Sequence, residues 1–239
     1  MTRVGVITQA RTTSTRLPGK VLLEVGGRTL LDHHLDRLAA SGLGVYVATT
    51  VNATDDGIVE LARRRGVGVH RGSEDDVLAR YHECAAANDL DVVVRVTSDC
   101  PLIDGRVIAE AVEEFLRQDD PRLYLSNVVA RTFPRGFDFE IFGAPLLADA
   151  FEHAVTTSER EHVTPYLRAA APERVRLQDW TRPEDKSGYR VTLDTVEDLR
   201  LIERLIEDHR ANELDCDAII GLLDRHPELV ELNRYVEQK

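Results

Sequence analysis

The chain has 239 residues, 43% of them hydrophobic and 30% charged, and a formal net charge of −12. This length can bury a core without disulfides, and Cys84, Cys100 and Cys216 are too few and too scattered for a disulfide framework or a zinc cluster. The acidic balance excludes a general nucleic-acid binder, and no apolar run approaches the roughly 18 residues that would mark a membrane span.

The chain opens on a strand-like run, Val4–Thr8. It lies so near Met1 that no signal peptide is expected, and the expected compartment is the cytoplasm. A polar loop runs to Lys20, after which Leu30, Leu31, His34, Leu35 and Leu38 recur at helical spacing. Val45–Ala48 predicts the second strand, Asp55–Arg65 a helix with Thr54 as N-cap, and Val67–Val69 a short third strand. Asp75–Ala87 predicts a helix, Asp91–Val96 a β-branched fourth strand, and Arg106–Arg117 another helix. The second half is less regular. Leu123–Asn127 and the alternating Phe137–Ile141 predict strands, with Asp138 and Glu140 on one face. Ser158 and Glu161 have capping-box spacing. Arg190–Leu193 predicts a last strand, and Val196–His209, Cys216–Leu223 and Glu228–Val236 a helical C-terminus.

Strands alternating with helices predict an α/β fold with a doubly wound, mostly parallel sheet and a smaller irregular lobe. The whole chain, 1–239, is expected to be one domain. Residues 1–120 make the regular half and 121–239 the less regular one. Ligands of such sheets bind beyond the carboxyl ends of the strands. The loops Gln9–Lys20, Arg71–Asp76 and Thr97–Asp104 should therefore meet at one place.

The loop Gln9–Lys20 carries Arg11, Arg16 and Lys20 with Thr12, Thr13, Ser14 and Thr15. Cations and hydrogen-bond donors suit a triphosphate, although such a composition equally fits a solvated basic loop. A Walker A loop is excluded because Ser14 and Val21 stand where Gly and Ser or Thr are required. The dinucleotide fingerprint is also missing after the first strand. Asp99 and Asp194 each follow a predicted strand, where either could be a turn or cap residue or a magnesium ligand.

The run Gln9–Lys20 resembles the signature of the cytidylyltransferase superfamily that makes CMP-activated sugars, and most of all its spore-coat polysaccharide branch. Supporting runs are Ala48–Thr50, Arg71–Leu78, Asp99–Asp104, Arg160–Tyr166 and Leu193–Thr195. One departure is Thr12-Thr13, where relatives often carry a bulkier residue and then Gly. The resemblance implies a nucleotide-diphospho-sugar transferase-like fold and transfer of CMP from CTP to a small anionic sugar-like acceptor. It places Mg2+ on Asp99 and Asp194, and catalysis on Lys20, Arg16, Asp99 and Asp194. Nucleotide contacts would come from Ala10, Arg11, Ser14, Arg16, Lys20, Asp99, Arg71 and Arg80. By the same resemblance residues 1–120 would be the nucleotide-binding half and 121–239 the acceptor-binding and dimerisation half, Asn127, Arg131, Arg135, Asp138, Glu140 and His162 would face the acceptor, and a homodimer is expected. Two rival readings are a glycosyltransferase using a sugar nucleotide and a non-catalytic nucleotide-binding protein.

Overall fold

The computed structural model describes residues 2–237. Its first half alternates strand and helix as predicted. β1 (Val4–Gln9) is followed by a small hairpin of β2 (Glu24–Val25) and β3 (Arg28–Thr29), then α1 (Leu30–Ala39) and β4 (Gly44–Thr50). Next come α2 (Asp56–Arg64), β5 (Gly68–Gly72), α3 (Val77–Ala87), β6 (Val92–Thr97) and α4 (Gly105–Gln118). The second half contributes β7 (Leu123–Ser126), β8 (Glu140–Gly143), α5 (Ala144–His153), α6 (Thr157–His162), α7 (Pro165–Ala169) and β9 (Arg176–Asp179). It ends in α8 (Val196–Glu207), α9 (Cys216–Arg225) and α10 (Pro227–Val230).

Seven strands form one sheet in the order β5-β4-β1-β6-β8-β7-β9. Only β8 runs against its neighbours. Alternate residues of the central strands face opposite layers, as the two-residue period requires. Ile7 and Val93 pack toward α3 and α5, whereas Val6, Val94 and Val96 pack toward α4. Both faces of the sheet are therefore covered, and the strands read as nearly continuous apolar runs. The last three helices cover a further core that includes Phe133, Phe137, Val191 and Leu193.

Several predicted boundaries change for identifiable reasons. The predicted strand Phe137–Ile141 pairs only from Glu140 onward. Before that point the Asn127 side chain takes the place of a neighbouring strand, donating to Phe137 O at 2.7 Å and accepting from Phe139 N at 2.9 Å. Residues 190–193 form only an isolated bridge, Arg135 to Arg190, because Leu193 N bonds Asp99 O instead of a ladder partner. The β2–β3 hairpin, α5, α7 and β9 escaped the sequence reading. β9 reads Arg-Leu-Gln-Asp, with one apolar residue and no alternation to detect. The box before α6 sits two residues earlier than predicted, with Thr156 as N-cap and Glu159 closing it. α8 is capped by Thr195 with Asp198, which leaves Asp194 outside the helix and free for other work. Asp55, rather than Thr54, precedes α2, and its carboxylate caps nothing.

Two glycines hold the segments that carry the site. At Gly136, with φ of +109°, a Cβ would lie 2.7 Å from the Val191 carbonyl carbon. At Gly105 a Cβ would meet Arg37 O at 2.4 Å, so the first turn of α4 can approach the end of α1 only without a side chain. Gly105→Ala should therefore lower unfolding stability by about 1–3 kcal/mol, the usual cost of overpacking. Urea denaturation with an unchanged m-value is the check.

Candidate active site

The predicted loops do meet. The ends of β1 and β6, the start of α3 and the segment around Asp194 enclose a cleft of about 300 Å³. The first loop is held by two carboxylates. Asp55 accepts from Thr12 N at 2.8 Å and Thr12 Oγ1 at 2.6 Å, and also from Thr49 and Thr50. Glu74 accepts from Thr13 and from Asn52 and lies 3.8 Å from Arg11. Thr12 and Thr13 are thus the residues that tether the loop. Gly19 closes it through a bond from its N–H to Thr12 O at 2.8 Å.

Lys20 lies at the centre of the cleft. Its Nζ donates to Asp99 Oδ2 at 3.0 Å, Asp194 Oδ1 at 2.8 Å and Leu193 O at 2.8 Å. Asp194 Oδ2 faces Arg16 at 3.0 Å and Arg190 at 3.1 Å. Arg190 in turn holds Asp198, which also accepts from Asp194 N at 2.9 Å. Asp198 is fully buried and serves as brace and cap. Burial opposes the charge on Lys20, but Asp99 and Asp194 outweigh it and raise the pKa. Burial likewise opposes ionisation of Asp99, and Lys20 outweighs it, so Asp99 stays a carboxylate.

The loop that carries Asp99 is fixed from beneath. His34 Nδ1 donates to Cys100 O at 2.8 Å, so its Nε2 accepts from Thr8 Oγ1 at 2.8 Å. Thr8 Oγ1 also bonds Ser98 Oγ at 2.8 Å. Burial keeps this imidazole neutral, with a pKa lowered to about 4.

Ala10, Arg11, Ser14, Arg16 and Arg80 also line the cleft. The Ala10 amide is already bonded to Ala48 O at 3.2 Å, so it offers no free N–H. Arg80 is buried and holds the turn before α3 through Ser73 O and Glu74 O, while its Nε has no hydrogen-bond partner among the described residues. Arg71 does not line the cleft. Its guanidinium is committed to Thr50 O, Asn52 O and Asp56. The expected nucleotide contact is instead a brace between β5 and the turn after β4.

A second cleft, of about 400 Å³, adjoins the first and shares Thr97 and His162 with it. Arg131, Arg135, Asp138, Glu140 and His162, all expected on the acceptor side, line it. Arg131 and Asp138 form a two-bond pair at 2.5 and 3.0 Å. Glu140 is almost fully buried, taking bonds from Arg95, Tyr124 and Thr164. Burial opposes its charge, Arg95 restores it, and its pKa falls below the usual range. Asn127 does not reach this cleft: it is buried and spent on the backbone of Phe137 and Phe139. Its expected acceptor role is replaced by that clamp.

His162 owes its place to a strained turn. Val163, between α6 and α7, has φ of +71° and ψ of −53°, and Thr164 N donates to His162 O at 2.8 Å. This is a γ-turn of the rare hand, held by complete burial of the Val163 side chain. Sequence reasoning missed Arg95, Arg190 and Asp55. For Arg95 a signal existed, since an Arg inside the run Val92–Val96 must find a buried counter-charge.

Cations and carboxylates at the strand ends of a doubly wound sheet, beside a second polar cleft, suit a nucleotidyltransferase, and the comparisons with known proteins agree. The family profile described as Cytidylyltransferase matches residues 5–238. The chain is 36% identical over 240 residues to an uncharacterized protein of Methanocaldococcus jannaschii, covering 99% of this chain and 96% of that one. It is 33% identical to the spore coat polysaccharide biosynthesis protein SpsF of Bacillus subtilis, over 95% and 97% of the two chains. The structure of a cytidylyltransferase from Leptospira borgpetersenii superposes with a TM-score of 0.93 at 35% identity, with full coverage of both chains. The chain belongs to the cytidylyltransferase family.

The buried His34 gives a pH test. Its folded pKa of about 4 lies below the ordinary 6.5, so the unfolded chain protonates first as pH falls. Its contribution is whole above pH 6.5 and is lost between there and about 4, a loss of about 3 kcal/mol. Urea denaturation at successive pH values should show a shallower slope through this window for His34→Gln than for the unaltered protein.

Proposed function

We propose that the protein transfers CMP from CTP to a hydroxyl of a small, anionic, sugar-like acceptor, releases pyrophosphate and depends on magnesium. The observation that carries this reading is the junction of the two clefts. The first offers Arg11, Arg16 and Lys20 to a triphosphate, the second offers a guanidinium to an anion, and Thr97 and His162 border both. A triphosphate in the first cleft and an acceptor in the second would meet at that border, with the leaving pyrophosphate toward Arg16 and Lys20. Fixed cations there would stabilise the charge that builds on the leaving oxygens.

The residues fit a magnesium ion. Oxygens of Asp99 and Asp194 both lie within 3.0 Å of one nitrogen, so they converge. No group of three or more His, Cys, Asp or Glu suited to a metal occurs among the described residues. Two carboxylates completed by substrate phosphates are what magnesium accepts. The ion, when bound, would supply Lewis-acid polarisation of phosphate oxygens.

Arg135 supports an anionic acceptor. Its guanidinium makes no hydrogen bond or ion pair among the described residues, unlike the neighbouring Arg131 and Arg95. Burial and repulsion from Arg131 lower its pKa, so an anion docking there would relieve an uncompensated charge.

With CTP, magnesium and a panel of sugar acids, pyrophosphate should appear, whereas a sugar-nucleotide-dependent glycosyltransferase would release a nucleotide instead. Asp99→Asn and Asp194→Asn should each lower kcat by about 10²-fold or more, on the scale of losing one preorganised electrostatic group. Full turnover in either variant would remove the metal assignment. Arg135→Ala should raise the acceptor KM by about 10- to 100-fold, the worth of one charged hydrogen bond, and leave the KM for CTP unchanged. Equal shifts in both constants would refute the anion role.

A further inference from the structure

Lys20 and a metal ion would compete for the same oxygens. Nζ already engages Asp99 Oδ2, Asp194 Oδ1 and Leu193 O, a set of hard donors of the kind a small cation would take. The surrounding cluster is also balanced in charge. Asp99, Asp194 and Asp198 face Lys20, Arg16 and Arg190. A bare dication entering this cluster would meet no excess negative charge, and it would have to displace an ammonium that is only 12% exposed. A dication that arrives with a triphosphate meets a different balance. The polyanion gives Lys20 and Arg16 new partners, and their departure frees the two aspartates.

We infer that Lys20 acts as a gate on the metal site, holding Asp99 and Asp194 closed to free divalent cations and handing them over when the nucleotide takes its ammonium. Metal binding is then conditional on nucleotide. Lys20 has two successive partners, the carboxylates first and the phosphates second. Arg16 follows the same course from Asp194 Oδ2, whereas Arg190 stays behind because Asp198 continues to hold it. Asp194 thus keeps one cation that fixes its orientation after the other two have left. The gate rests on the magnesium reading above, and its test separates the two.

The experiment titrates Mn2+ into the full-length protein and reads bound metal by electron paramagnetic resonance and by water proton relaxation. The unaltered protein and Lys20→Met are each measured with and without CTP, and Mn2+ with CTP alone is the blank. The unaltered protein should hold Mn2+ at least about tenfold more weakly without CTP than with it. Lys20→Met should tighten nucleotide-free binding by on the order of tenfold, the lower end of what changes around a metal's ligands produce. Asp99→Asn added to Lys20→Met should abolish that gain. Mn2+ binding to the unaltered protein that is equally tight with and without CTP would overturn the gate, and this comparison needs no variant to fold. An unchanged nucleotide-free affinity in a Lys20→Met protein with native circular dichroism would overturn it as well. Failure of the unaltered protein to retain Mn2+ even with CTP would overturn the magnesium site itself, and the gate with it.

Discussion

The contact of one ammonium with two carboxylates ties this molecule together. Lys20, Asp99 and Asp194 lie far apart in sequence, on the loop after β1, the loop after β6 and the segment before α8. Each alone would be costly to withdraw from water, and together they offset much of that cost. Other features serve this meeting. Asp55 and Glu74 hold the first loop, His34 holds the second through Cys100 O, and Arg190 with Asp198 holds the third. Each brace is itself buried or half-buried, so the reacting groups are positioned by side chains with few alternatives open to them.

The second cleft follows a different logic. Its polar groups are mostly spent within the protein: Glu140 on three donors, Asp138 on Arg131, and Asn127 on backbone. Such saturation makes a rigid wall and, among the described residues, leaves Arg135 and Arg168 as cations with interaction to give. On the function proposed above, recognition of the acceptor would depend on shape and on these few charges. A family with one nucleotide chemistry can alter such a wall to suit other acceptors while its catalytic cluster stays intact.

The parts legible in the sequence were those where one residue type has one physical use. The apolar β-branched runs of β1, β4 and β6 read as buried parallel strands, whereas the basic loop after β1 read equally as an anion site or a solvated loop until the resemblance favoured the first. Asp99 and Asp194 were placed by resemblance, since an aspartate after a strand is as readily a cap. What stayed hidden depended on partners distant in sequence. Nothing near Arg71 shows that Thr50 and Asn52 will claim its guanidinium. Nothing near Asn127 shows that its amide will replace a strand partner for Phe137 and Phe139. β9 was invisible because its pairing with β7 comes from backbone register and not from side chains.

The charge balance of the Lys20 cluster has a kinetic consequence. The whole chain is strongly acidic, and its main concentration of cations near the cleft is already matched by Asp99, Asp194 and Asp198. A nucleotide polyanion diffusing toward this protein therefore feels little pull from beyond the Debye length, about 10 Å at 0.1 M salt. Its encounter rate gains nothing from low ionic strength, unlike that of enzymes whose clefts focus an opposite field over their substrates. On the inferred exchange, attraction would begin only at contact, when the phosphates start to take cations from the aspartates. With Lys20 as the inferred gate, selection of the nucleotide would be a short-range exchange of ionic partners, discriminating by how well a ligand completes that exchange.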